Sequence, residues 1–186
     1  MSVEQVGNRE RFRDAMASFP SGATIVTTSD ASGGWWGFTA SSFCSVSLDP
    51  PLVLTCLAYS AQCFPAFAQA ERWNIHVLQH RHADLAVRFA TRGVDKFEGG
   101  GFVPDADGLP ILPDVSISLR CAAHSKVEAG DHLVLLGQVE EVAIGSETPF
   151  VYFRRKFHSL DLDHDQVAKD HAALEPVVFE LDMGWV

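Results

Sequence analysis

The run from Gly37 to Leu57 constrains this chain more than any other segment. Phe43, Ser45 and Ser47 alternate with Cys44, Val46 and Leu48, and this period of two predicts a β-strand with one wet face. Asp49-Pro50-Pro51 must interrupt that strand, because neither proline can donate to a ladder. Leu52 to Leu57 then predicts a second, buried strand. A hydroxyl-rich strand turning over a Pro-Pro corner presents backbone N–H and Ser or Thr O–H groups, which suit an anionic, ring-bearing ligand.

The 186 residues suffice for one domain with a real core, and 47% hydrophobic with 20% charged residues fits a soluble globular protein. No apolar run reaches the length of a membrane span, and the polar opening Met1–Arg13 carries no secretory signal, so a cytoplasmic protein is expected. A formal charge of −10 argues against nucleic acid as a partner and makes a local basic cluster necessary for any anionic ligand. Cys44, Cys56, Cys63 and Cys121 form no Cys-x-x-Cys pair and read as reduced core thiols.

The rest of the chain alternates short strands with few helices. Phe12, Ala15, Met16 and Phe19 predict a helix over Arg9–Phe19, stopped by Pro20 and Gly22. Thr24–Thr28 and the strand from Trp35 flank the turn cluster Ser29–Gly34 as a hairpin. Ser60 is placed to cap a short helix through Phe64 and Phe67. Trp73–Leu78 predicts a strand, Ala83–Ala90 a helix, and Gly93–Pro113 a long loop. Val115–Ala123 and His132–Ile144 predict long strands around Glu128–Asp131, and Phe150–Phe153 one more before the basic run Arg154-Arg155-Lys156. Asp161–His171 reads as a polar arm and Val177–Leu181 as a last strand. The pattern points to an antiparallel barrel, and Gly33–Gly37 lacks the glycine spacing of a Rossmann turn.

Several of these segments in order resemble one family. Phe19-Pro20-Ser21-Gly22, Gly37–Phe43, Ser45–Pro51, Lys96-Phe97, Gly130-Asp131-His132 and Tyr152-Phe153-Arg154 are similar to the short-chain flavin reductases, the reductase components of two-component flavin-dependent monooxygenases. The resemblance covers about Arg9 to Leu160 and implies a mainly β fold: a six-stranded antiparallel split β-barrel of Greek-key type with a few flanking helices, forming a homodimer. Residues 1–160 would form that domain and 161–186 a C-terminal extension. The implied activity is hydride transfer from NADH or NADPH to FAD or FMN, with free reduced flavin passed to a partner monooxygenase. His76, where the family more often has Asn, and Gly99-Gly100-Gly101 depart from the pattern.

The resemblance implies a flavin cradle of Gly37, Thr39, Ala40, Ser41, Ser42, Ser45, Val46 and Ser47. Cys56, Leu57, Ala58, Ser60, Phe64, Phe89, Phe97, Tyr152 and Arg154 complete the cofactor-binding set, and Lys96 is implied beside the flavin phosphates. His132 is implied near the nicotinamide, where it positions the ring. From the residues alone, the Ser/Thr run suits a solvated strand face as well as a cradle, and His132 reads as a solvent-facing turn histidine. Tyr152 and Arg154 suit either nucleotide contact or an edge strand ending in a basic patch. Arg88 and Arg92 read as solubility charges. The other histidines show no metal-ligand spacing and no Gly-x-Ser-x-Gly elbow is present. Two alternatives remain: a non-catalytic flavin-binding or flavin-carrier module, and a split-barrel oxidase acting on a pyridoxamine phosphate, which would need more phosphate-binding Arg and Lys.

Overall fold

Gly130 and Asp131 close the longest hairpin of the molecule. Gly130 takes a positive φ of 60°, and the two-residue turn sets His132 opposite Ala129, joining β9 (Ile117–Ala129) to β10 (His132–Ile144). The computed structural model describes residues 3–146 and 148–160. Before this hairpin come α1 (Val3–Ala17), β1 (Ser21–Gly22), β2 (Thr24–Ser29), β3 (Trp35–Ala40), β4 (Cys44–Leu48) and β5 (Pro51–Ala58). Then follow α2 (Phe64–Gln69), β6 (Arg72–Val77), a 3₁₀ turn at His80–His82, α3 (Ala83–Ala90), β7 (Val103–Pro104) and β8 (Pro110–Ile111). The described chain ends with β11 (Phe150–Phe153) and β12 (Lys156–Ser159).

The main sheet has seven antiparallel strands in the order β3-β2-β6-β9-β10-β5-β4. The fold is therefore mainly β, but the sheet is open rather than a closed six-stranded barrel. The physical reason lies at residues 41–43, which leave the strand conformation between β3 and β4, so that these two edges form no ladder. Ser42 supplies a substitute: its Oγ accepts the Cys56 N–H at 2.9 Å, on the stretch of β5 that β4 does not cover. The sheet still curls. Phe38 and Ala40 of β3, Leu57 of β5, Trp73 of β6 and Leu135 of β10 share one core with Phe67 of α2. A second core on the opposite side joins Ile25, Leu78, Phe89, Phe102 and Phe150 beneath α3.

Several expected elements shift. The Pro-Pro corner is a tight β4–β5 hairpin with Leu48 opposite Pro51. Along β5 only Val53, Thr55 and Leu57 are buried, so that strand has one covered face rather than two. A register shift between Ser45 and Ser47 breaks the alternation on β4, which is mostly exposed. Helix α1 begins earlier than expected and ends at Ala17, and Phe12, Met16 and Phe19 are solvent-exposed. Ser60 does not cap α2, which starts after Cys63 with no side-chain cap. The long loop holds the β7–β8 hairpin, closed around the Asp105 carboxylate, and the basic run leads into β12. All four cysteines are free, but Cys44 is exposed and only Cys63 and Cys121 are buried. The arm and last strand expected beyond residue 160 lie outside the described residues.

His76 occupies β6 with no solvent exposure. The Leu112 N–H donates to Nε2 at 3.0 Å, which leaves Nδ1–H to donate to the Ile25 carbonyl at 3.0 Å. Burial, with a smaller contribution from His82, pushes its pKa down to about 4, against the opposing pull of the Ile25 carbonyl. The folded protein therefore holds His76 neutral while the unfolded chain begins to bind a proton near pH 6.5. Stability is complete above that pH and falls as pH drops towards 4, by on the order of 3 kcal/mol. Denaturant titrations at pH 7, 5.5 and 4.5 should show this loss, and His76→Asn should flatten it. An equally steep profile in the variant would assign the pH dependence to other groups.

Candidate functional site

Helix α3 rests directly on β3 because Gly37 has no side chain. A Cβ at that position would stand 2.7 Å from Phe89 Cε1 and 3.0 Å from the Val26 carbonyl. Two polar ties hold the helix there. The Thr39 hydroxyl donates to the Ala86 carbonyl at 2.7 Å. The Lys96 ammonium donates to the Gly37 carbonyl at 3.1 Å and to the Phe89 carbonyl at 2.6 Å. Phe89 lies in the last turn of α3, where carbonyls have no helical partner and a cation is favoured. Burial draws the Lys96 ammonium below the ordinary lysine pKa, partly offset by Cys63.

Where α3 meets the end of β5 and the start of β10, a cavity of about 260 Å³ opens. Thr39, Cys56, Leu57, Ala58, Ser60, Phe89, Lys96 and His132 all line it, so the fold brings together residues from five separate segments. His132 reaches it because β10 pairs with β5, which sets His132 opposite Ala58. Its Nδ1 stands 2.7 Å from the Asp131 carboxylate, which orients the ring. That hydrogen bond and the imidazole charge hold the Asp131 carboxyl below the usual range. The cavity lining contains Lys96 and Arg92 and no carboxylate, in a chain of net charge −10.

Two further cavities adjoin the first. One of about 360 Å³ shares Gln62 and Lys96 with it and adds Trp35, Trp36, Gly37 and Phe97. The other, of about 340 Å³, shares Thr39 and Ala90 and adds Ser41, Tyr152, Arg155 and Phe157. Together they form a groove that runs from Trp35 past Lys96 and Thr39 to Tyr152, with aromatic rings at each end.

Some expected residues lie elsewhere. Ala40 is buried in the core, and Phe64 packs on that core edge-on to Tyr59, with ring centroids 5.1 Å apart. The Ser42 hydroxyl faces the backbone of β5. Ser45, Val46 and Ser47 stand on the exposed edge strand and line none of these three cavities. Arg154 turns onto the Phe153 ring, 5.2 Å away, while the neighbouring Arg155 lines the groove and pairs with Asp14 at 2.7 Å. Positive φ angles at both arginines, 47° and 61°, reverse the chain and exchange their directions.

Arg92, expected as a solubility charge, is exposed and also tied to the site. Its Nη2 donates to the Ser60 carbonyl and hydroxyl, each at 2.8 Å, and the side chain lines the 260 Å³ cavity. Gly93 follows with a φ of 74°, and its N–H donates to Gln62 at 2.9 Å. The Arg-Gly pair just past a helix end was the available signal, since a glycine there turns the chain back.

A family model described as flavin reductase-like domain matches residues 16–161. Among curated relatives, the actinorhodin polyketide dimerase of Streptomyces coelicolor is 46% identical over 149 residues, covering 80% of this chain and 84% of that protein. The NADH:riboflavin 5'-phosphate oxidoreductase of Streptomyces pristinaespiralis is 43% identical over 153 residues, covering 81% of this chain and 87% of that protein. Among solved structures, the NADH:FAD oxidoreductase of Streptomyces globisporus, in complex with NAD and FAD fragments, superposes with a TM-score of 0.78 at 30% identity. That match covers 84% of this chain and 96% of the other.

The contact at Gly37 makes a direct prediction. Gly37→Ala should cost about 1–3 kcal/mol through overpacking against Phe89. It should also weaken ligand binding by displacing α3. Urea unfolding checks the first effect, and an unchanged midpoint would show that the ring moves aside freely.

Proposed function

This chain belongs to the flavin reductase-like domain family, and we propose that it is an NADH- or NADPH-dependent flavin reductase that releases reduced FAD or FMN to a partner monooxygenase. The observation that carries this reading is the carboxylate-free cavity with two cations and His132 in an otherwise acidic protein. Such a site favours an anionic ligand by local field alone. The adjoining aromatic-lined cavities extend it to the length a nucleotide requires.

Flavin and nicotinamide supply the chemistry, a hydride passing from nicotinamide C4 to flavin N5. The residues of this chain bind and align the two rings. Thr39 and Ser60 stand at the cavity wall beside Cys56–Ala58; with the Thr39 O–H given to Ala86 and the Cys56 N–H to Ser42, Thr39 Oγ is left as an acceptor and the Ser60 O–H as a donor for a flavin edge. The 2.7 Å contact with Asp131 fixes the tautomer of His132, leaving Nε2 free to meet the second nucleotide at the mouth. Alignment of this kind lowers a barrier by several kcal/mol, up to about 7–11 kcal/mol. His132 therefore acts as a positioning group and transfers no proton in the hydride step.

The partner and the assembly belong to the same proposal. Relatives include the reductase component of a flavin-dependent trigonelline monooxygenase from Acinetobacter baylyi, 34% identical over 152 residues. For this chain, a monooxygenase that consumes reduced flavin is the corresponding partner. A homodimer is supported by the exposed edge strand β4, on which Leu48 is 90% exposed beside Val46. Ser45, Val46 and Ser47 would meet flavin only across that interface.

The purified protein should oxidise NADH or NADPH only when FAD or FMN is added. A protein that binds flavin and never consumes either nicotinamide would be a carrier instead. His132→Ala should lower kcat/KM for the nicotinamide by about tenfold or more while the flavin Kd moves less than threefold; unchanged turnover would remove the positioning role. Leu48→Glu should shift the mass measured by light scattering from dimer to monomer, and a monomeric parent protein would end the dimer proposal.

A further inference from the structure

The cation expected to meet the flavin phosphates is already engaged. Lys96 points its ammonium at two backbone carbonyls, Gly37 on β3 and Phe89 at the end of α3. Both contacts are structural: one is to a strand carbonyl, the other to a helix-end carbonyl with no helical partner. Two of the three ammonium hydrogens are committed in this way, so Lys96 keeps one donor, and swinging away to face a phosphate squarely would leave those carbonyls without theirs.

Arg92 is arranged differently. Its two Nη2 hydrogens go to the carbonyl and hydroxyl of Ser60, which holds the guanidinium plane at the cavity wall. Among the described residues, Nε and Nη1 donate to no protein group. Both guanidinium edges that give two parallel hydrogen bonds include Nη2, so the Nε–H and Nη1–H groups meet phosphate oxygens singly, as charge-assisted donors held in a fixed plane. The anchor is itself fixed, since Gly93 N–H is bound by Gln62 in the same turn as Ser60. No carboxylate lines this cavity to compete for the charge.

We propose that Arg92 is the residue that recognises a nucleotide phosphate in this site, while Lys96 serves to hold α3 against β3. The proposal rests on the flavin reductase reading for the identity of the nucleotides. Two phosphates meet the chemistry: the 5'-phosphate of the flavin and the pyrophosphate of the nicotinamide dinucleotide.

Equilibrium binding separates the inference from the activity, because it needs no turnover. Kd values for FMN, riboflavin and NADH are measured by fluorescence on the parent protein, Arg92→Met and Lys96→Met. FMN should bind the parent protein at least tenfold more tightly than riboflavin, the scale of one charge-assisted contact. Arg92→Met should collapse that advantage to under threefold, and Arg92→Lys should restore part of it. If Arg92→Met instead weakens NADH by tenfold and leaves the FMN-to-riboflavin ratio intact, Arg92 still reads a phosphate, that of the dinucleotide. Lys96→Met should lower the melting temperature and keep the FMN-to-riboflavin ratio within twofold. Equal weakening of FMN and riboflavin in Arg92→Met with NADH unmoved, or no change for any ligand, would overturn the proposal. So would collapse of the ratio in Lys96→Met. Should Arg92→Met fail to fold, Arg92→Gln keeps a donor to Ser60 and carries the same expectations. A parent protein that binds flavin with the expected ratio yet never oxidises NADH would defeat the reductase reading and leave the role of Arg92 standing.

Discussion

The seat of α3 on β3 is the contact on which the site depends. It exists because Gly37 leaves room for the Phe89 ring. Thr39 and Lys96 then convert proximity into fixed geometry, each donating to a carbonyl of the helix. Without that seat, the wall formed by Phe89 and Ala90 would not face the end of β5, and the 260 Å³ cavity would lose one side. The aromatic cluster reinforces it: Phe97 lies edge-on to both Phe89 and Phe102, at centroid distances of 5.1 Å.

Electrostatics reverses locally what composition sets globally. The protein carries −10, yet the cavity has cations and no acid. Its two cations differ in kind. Lysine is a compact charge that suits convergence on two carbonyls, while arginine is a planar fork that can be anchored at one end and remain a donor at the other. The division between Lys96 and Arg92 follows from that difference. The exposed Asp131–His132 pair at the mouth adds an oriented imidazole without closing the entrance.

Much of the fold was legible in the residues. The strand His132–Ile144 and the helix Ala83–Ala90 were found with the observed bounds, while the strand expected over Val115–Ala123 runs on to Ala129, up to the Gly-Asp turn. The open sheet was not legible, because it depends on whether two edges meet, and here Ser42 satisfies the free N–H of Cys56 in place of a ladder. The exposure of Phe12, Met16 and Phe19 was hidden as well, since helical spacing reports a common face and not what covers it. The neutral state of His76 was equally invisible, as it arises from burial, which strands and loops far away in sequence impose.

For the site, the sequence by itself determined which chemistry was available: a hydroxyl-rich strand, a Lys-Phe pair and a histidine after a tight turn, in an order shared with one family. These are local properties of residue type and spacing. Tertiary structure alone decided which of them meet. Strand pairing carried His132 to Ala58, a helix end claimed Lys96, and two positive φ angles exchanged Arg154 for Arg155. The turn after α3 brought in Arg92. Side-chain direction depends on register, backbone dihedrals and competing carbonyls, and none of these is encoded at the residue that turns.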